Sequence, residues 1–196
     1  MNNTAKVTPI ETPADRPLFN RLAEWFDAND WDCEEFVSDD QSHLDALVTC
    51  ENGTWRMVAR VSESLRHAYF WARLDMFVPA NRRSAVAEFM ARANFDRRMG
   101  FFEMDFGDGE IRFRVTLWVL DGMLTDDQIE EAVDTVLADM NRYFPALMSV
   151  IYGATDPAEA VTKVLAEEQD ATYHKSVPGR DLVEKEIPVQ ANALLH

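Results

Sequence analysis

The stretch GFFEMDFGDGEIRFRVTLWVL, residues 100–120, constrains this chain more than any other. Two runs of alternating apolar and charged residues flank a glycine-rich turn, the pattern of a β-hairpin with one buried face. Asp108-Gly109 reads as a two-residue turn, because such turns need φ > 0 and Asp-Gly tolerates it. In that register Phe106 faces Ile111, Met104 faces Phe113 and Phe102 faces Val115 on one apolar face. On the other, Asp105 meets Arg112 and Glu103 meets Arg114, each pair worth about a few tenths of a kcal/mol. A slip of one residue would send these charges into the core, so the pairs fix the register.

A second hairpin precedes it. His43–Glu51 and Thr54–Ser62 flank Asn52-Gly53, the strongest short turn signal. With Asn52-Gly53 as the loop, Cys50 meets Trp55, Val48 meets Met57 and Leu44 meets Val61 on a buried face. The opposite face sets Asp45 against Arg60, Leu47 against Val58 and Thr49 against Arg56. A further strand, His67–Val78, alternates in the same way and stops at Pro79. A short strand fits Cys33–Val37.

Helices fill the gaps. The first begins near Asp15 with Pro17 in its first turn, and Leu18, Phe19, Leu22, Trp25 and Phe26 share a face. The second is capped by Asn81, with Ala85, Val86, Phe89, Met90 and Ala93 as its stripe and Gly100 as its stop signal. Thr125-Asp126-Asp127-Gln128 is a capping box that opens the third. Its stripe is Ile129, Val133, Val136, Leu137 and Met140, and Pro145 restarts or kinks it. Asp156-Pro157 opens the last, with Ala160, Val161, Val164 and Leu165 inward. The expected fold is α+β, a five-stranded antiparallel sheet with helices mainly on one face, in the order α-β-β-β-α-β-β-α. Residues 15–169 form one domain, with flexible segments at 1–14 and 170–196.

Chemistry is harder to find. The net charge of −16 repels nucleic-acid phosphates and anionic membrane surfaces alike. No segment is apolar enough to span a bilayer, and the N-terminus lacks the apolar core of a secretory signal. Cys33 and Cys50 have no CxxC spacing and no Cys/His partners, which fits a reduced, cytoplasmic location. The Asp27-x-Asn29 run lacks the glycine of a calcium loop. The histidines at 43, 67, 174 and 196 fall in no catalytic pattern, and Gly107-x-Gly109 lacks the third glycine of a dinucleotide loop. No catalytic, cofactor-binding or metal-binding residue is assigned. Acidic runs at 24–51 and 121–139 have two readings: solvated faces, or an electronegative surface that steers a basic partner.

The outer face of the sheet is the informative oddity. Alternation places Leu47, Val58, Tyr69, Trp71, Phe77 and Trp118 opposite the helix-covered side. Either a tail, loop or helix covers them, or they form an apolar patch of the kind that marks protein interfaces. The residues assigned to protein binding are Leu47, Val58, Tyr69, Trp71 and Trp118.

The segments GFFEMDFGDGEIRFR, LTDDQIEEAV and RYFPALMSVIYGATDPAEAV resemble the YbjN family of bacterial sensory transduction regulators. The last segment carries the most specific spacing, with Tyr143, Phe144-Pro145, Val150, Gly153 and Pro157. The resemblance covers roughly Asp15 to Leu165 and implies a type III secretion chaperone-like fold, an interaction fold often found as a dimer. It implies no enzymatic activity and no cofactor. The leading expectation is a non-enzymatic cytoplasmic regulator or chaperone-like adaptor that binds an unidentified protein and homodimerises, without direct nucleic-acid or membrane binding. A small-ligand sensor or enzyme with a pocket between sheet and helices is the alternative. A dimer whose apolar face serves only self-association is a third reading.

Overall fold

Alternating side chains give each strand two faces, and burial separates those faces cleanly. Leu44, Ala46 and Val48 are buried on one strand, Trp55, Met57, Ala59 and Val61 on the next, and Ala68, Phe70, Ala72 and Leu74 on the third. The computed structural model describes residues 16–119 and 122–176, with side chains through residue 167. The elements are α1 (Pro17–Ala28), β1 (Glu34–Phe36), β2 (Gln41–Thr49), β3 (Thr54–Ser62), β4 (His67–Phe77), α2 (Arg83–Asn94), β5 (Phe101–Met104), β6 (Glu110–Trp118), α3 (Asp126–Tyr152) and α4 (Pro157–Ser176). The strands form one antiparallel sheet in the order β1-β2-β3-β4-β6-β5.

The α+β class with an antiparallel sheet stands, but among the described residues the sheet has six strands rather than five. The short strand read at Cys33–Val37 is present as β1, a three-residue edge strand that pairs with β2, and it is the one the five-strand order leaves out. The flexible segment expected at 1–14 lies outside the described residues, as do residues 177–196. Part of the expected C-terminal tail is helical, since α4 runs on to Ser176.

The expected faces of both hairpins hold, but their facing pairs do not. In β2–β3 the closing pair is Thr49–Thr54, and Cys50 N–H donates to the Gly53 carbonyl at 2.9 Å, so the turn centres on Glu51-Asn52. Val48 therefore faces Trp55, and Asp45 faces Val58. Gly53 is not in the left-handed region. It is glycine for space: a Cβ there would sit 2.9 Å from the Trp55 ring and 3.1 Å from Phe144. In β5–β6 the loop is Phe106–Gly109, closed by Gly109 N–H to the Asp105 carbonyl at 2.7 Å. Gly109 has φ +93°. The Arg83 guanidinium gathers the loop by donating to the carbonyls of Phe106 at 2.7 Å and Asp108 at 2.6 Å. Phe102 therefore faces Phe113, Glu103 faces Arg112, and Phe106 is exposed in the loop. Each shift moves the facing partner by two positions, so every side chain that stays within a strand keeps its face.

The helices cover the buried face. α1 inserts Leu18, Phe19, Leu22, Trp25 and Phe26, as its spacing predicts. Its first amides are capped from afar: Leu18 N–H and Phe19 N–H each donate to the Glu63 carboxylate at 3.0 Å. The Thr125 capping box forms, with Gln128 N–H donating to Thr125 Oγ1 at 3.2 Å and Thr125 N–H to Gln128 Oε1 at 3.1 Å. α3 then runs unbroken through Pro145, without the expected restart. Asn81 lies in a 3-10 turn rather than capping α2, which ends at Asn94, short of Gly100. Asp156 caps α4 by accepting from Ala158 N–H at 2.9 Å. Leu165, expected inward, is exposed.

Candidate functional site

Strand pairing sets the outward side chains of the sheet in transverse rows. One row runs Phe36, His43, Arg60, Tyr69 and Thr116 across β1, β2, β3, β4 and β6. The next runs Glu34, Asp45, Val58, Trp71, Arg114 and Phe101. A third runs Leu47, Arg56, Arg73, Arg112 and Glu103. On the far side of the first, Gln41, Ser62, His67 and Trp118 form another.

The five residues assigned to protein binding are therefore not one contiguous patch. Tyr69, Trp71 and Val58 lie together at the centre. Leu47 and Trp118 stand toward opposite corners, on β2 and β6, 65% and 63% exposed. Val58 is only 6% exposed, so it has little area to offer a partner. Its register neighbours are Asp45 and Trp71, and charged side chains flank it on its own strand. Tyr69 and Trp71 are partly buried. Phe77 is exposed near the end of β4.

The face is as much guanidinium as aromatic. Arg60 lies over the Trp71 ring at 5.0 Å and Arg112 lies 5.9 Å from the same ring, so the indole sits between two cations. Arg56 donates to Asp45 at 2.9 Å, and this carboxylate holds the guanidinium pKa above its ordinary value. Arg73 pairs with Asp75 and with Glu110, both at 3.5 Å. Glu103 is shared between Arg112 and Arg114. Phe36 stacks on His43 with centroids 4.6 Å apart and planes 8° from parallel. His67 is buried, with Nδ1 3.0 Å from the Tyr69 hydroxyl and its ring 3.7 Å from that of Trp118. Strand alternation already places Arg56, Arg60, Arg73, Arg112 and Arg114 outward. Weighing only apolar residues hides this cationic set.

Other polar features are structural. Arg97, partly buried, and Asp139, buried, form an ion pair, with the guanidinium 5.0 Å from the Phe113 ring and 5.4 Å from the Tyr143 ring. Asp139 is thus an exception to the solvated acidic run in which it sits. Among the described residues no group of three His, Cys, Asp or Glu side chains could hold a metal ion. Burial, with smaller contributions from Asp32, Asp45 and Glu35, pushes the Cys33 thiol up to about 12, and burial also raises that of Cys50. Neither is poised as a nucleophile. A cavity of about 320 Å³ lies at the β5–β6 hairpin, and one of about 510 Å³ between α2 and α4. No described helix is long and apolar enough to cross a membrane.

Fold and face together define a class: an α+β protein whose antiparallel sheet is covered by helices on one side and, among the described residues, bears no helix on the other, which carries mixed aromatic and arginine side chains. A family model, YbjN, matches residues 19–149, and its description reads "Putative bacterial sensory transduction regulator". The chain belongs to the YbjN family. That description names a regulator and no enzymatic activity. One similar solved structure is described as "Crystal structure of YbjN, a putative transcription regulator from E. coli". It shares 17% identity, with 65% of this chain and 94% of that chain covered and a TM-score of 0.42. No curated protein matches the chain.

Proposed function

We propose that this protein is a non-enzymatic regulator that acts by binding another protein across the open face of its sheet. The observation that carries this reading is the contrast between the two faces. The helix-covered face buries Trp55, Phe70, Phe113 and their neighbours, whereas the other leaves Leu47 and Trp118 exposed around Trp71 and Tyr69. Exposed aromatics among arginines have the composition of binding hot spots. Between sheet and helices lies one cluster of buried apolar side chains, among them Trp55, Phe70, Phe89 and Val136. A cytoplasmic setting suits the two unpaired cysteines. A secretion chaperone-like interaction fold would have to take β1 in addition to the expected order α-β-β-β-α-β-β-α, and the family description supports a role in sensory regulation.

The test is affinity capture from native lysate with mass spectrometry. The bait is wild type, a Leu47→Glu/Trp118→Glu variant, or Trp71→Ala, each checked for folding by circular dichroism. Phe95→Glu, altering a residue 85% exposed beyond the C-terminus of α2, serves as the control. Partners should be lost from the sheet-face variants and kept by the control. Partners that survive all sheet-face changes would remove the face from the function.

A further inference from the structure

Among the guanidiniums of the open face, Arg60 differs from its neighbours. Arg56, Arg73, Arg112 and Arg114 each have a carboxylate within 4.0 Å. Arg60 has none among the described residues. Its Nε is buried and makes no hydrogen bond. What Arg60 does contact is aromatic: the Trp71 ring lies 5.0 Å away, and strand pairing sets His43 on one side and Tyr69 on the other. The sealed Nε is out of a ligand's reach, so a carboxylate would take its two hydrogen bonds from the terminal Nη1 and Nη2 of the fork, which no side chain among the described residues engages. The rings around it lower the local dielectric and strengthen such a bond.

Resting on the binding reading above, we propose that Arg60 is the anchoring cation of the open face and that it takes a carboxylate from an acidic, extended peptide segment of the partner. The charge distribution of the face fits that occupant. The outward acids Asp45, Asp75, Glu103 and Glu110 are engaged by the other arginines, and Glu34 at the sheet edge acts on Arg56, so Arg60 is the outward arginine with no carboxylate partner among the described residues. Much of the negative charge of the chain lies elsewhere, at Glu24 and Asp27 of α1 and at Asp126, Asp127, Glu130 and Glu131 of α3. Those elements lie on the covered side, and physiological salt screens exposed charges beyond roughly 8 Å. His43 carries a second mark of the unmatched charge. Burial first, and the Arg60 charge second, hold its pKa below the ordinary value. Neutralising Arg60 with a bound carboxylate should raise it.

The experiment uses the full chain and an array of short peptides graded in glutamate content, with matched sets carrying glutamine or lysine in place of glutamate. Wild type should prefer the glutamate set. Arg60→Gln should weaken that binding about ten- to hundredfold, the range of one charge-assisted contact, and Arg60→Lys should recover part of it. The His43 ring signals, followed by NMR against pH, should move to a higher pKa when the best glutamate peptide is bound. Arg60→Met keeps an aliphatic stem over Trp71 and guards against loss of folding. Failure of wild type to prefer glutamate over glutamine, including no binding at all, overturns the proposal. So does a glutamate preference that persists in folded Arg60→Gln. If glutamate and glutamine peptides bind alike but both need Leu47 and Trp118, the anchor is wrong and the binding face stands. Self-association of wild type that Arg60→Gln abolishes would make the occupant a second copy and also overturn the proposal.

Discussion

Asn52, at the tip of the β2–β3 turn, is bonded twice to Asn141 in the middle of α3. Its backbone N–H donates to Asn141 Oδ1 at 2.9 Å, and its side-chain amide donates to the Asn141 carbonyl at 2.9 Å. The second bond explains why the helix tolerates Pro145. Proline has no N–H for the carbonyl four residues back, which is that of Asn141. Asn52 supplies the missing donor from the hairpin, so one contact both satisfies the helix and anchors the turn. Asn52→Ala should lower stability by about 1 kcal/mol, read from urea unfolding. The loss should shrink in a Pro145→Ala background, where the helix can satisfy the carbonyl itself. An additive double-mutant cycle would show the two features to be independent.

This contact also explains what the sequence could not disclose. Asn52-Gly53 signals a turn, and a turn is there, but its centre is set by a helix 89 residues away. Local turn chemistry has no term for such a contact. Arg83 acts in the same way on the second hairpin, holding open a four-residue loop where Asp108-Gly109 alone suggests two. Side-chain faces survived both errors because the period of a strand is two, and a shift of the partner by two positions leaves parity intact. Core residues such as Phe113 and Met57 were therefore legible from the sequence, and so was the Glu103–Arg114 pair, while Glu103–Arg112 and Asp45–Arg56 were not. The candidate face was legible as a set of outward positions. The burial of Val58 and the isolation of Arg60 were not, since both depend on how neighbouring long side chains lie.

The charge pairs of the second hairpin give a direct test of its register. Glu103 holds both Arg112 and Arg114, whereas Asp105 accepts from Gly107 N–H at 2.6 Å and shapes the turn. Double-mutant cycles on thermal or urea unfolding should find Glu103 coupled to each arginine by about 0.3–1 kcal/mol, the range for exposed pairs. Asp105→Ala should cost about 1 kcal/mol through the turn. Its coupling to Arg112 should be close to zero. Strong Asp105–Arg112 coupling would restore the two-residue turn.

Arg97 and Asp139 join the β5 side of the domain to α3 beneath the sheet, each side chain little exposed. Removing one partner strands the other charge next to aromatic rings. Asp139→Ala should therefore cost about 3–5 kcal/mol, far more than any surface pair here. The double change Arg97→Met/Asp139→Leu should recover most of that loss, because it removes both desolvated charges together. The comparison is read from urea midpoints at constant m-value. Equal stability of the single and double variants would mean that packing, rather than the charges, sets the cost.

His43 predicts a pH dependence with a definite sign. Burial is the larger cause of its lowered pKa and the Arg60 charge the next, while Asp45 pulls the other way. A histidine whose folded pKa lies below its unfolded value, about 6.5, binds more protons when unfolded. Stability should then rise with pH through the window between the lowered value and about 6.5, and level off above it. Acidification through the same window should weaken the protein before Asp40 titrates. The Asp40 carboxyl is held below its ordinary value chiefly by Ser64, so its stabilisation is lost only at lower pH. His43→Phe keeps a ring against Phe36, whose centroid lies 4.6 Å from that of His43, and has no proton to gain. Urea unfolding followed downward from about pH 7 should show a smaller loss of stability for the variant than for wild type. A loss that is unchanged would place the titrating group elsewhere and detach His43 from the electrostatics of the open face.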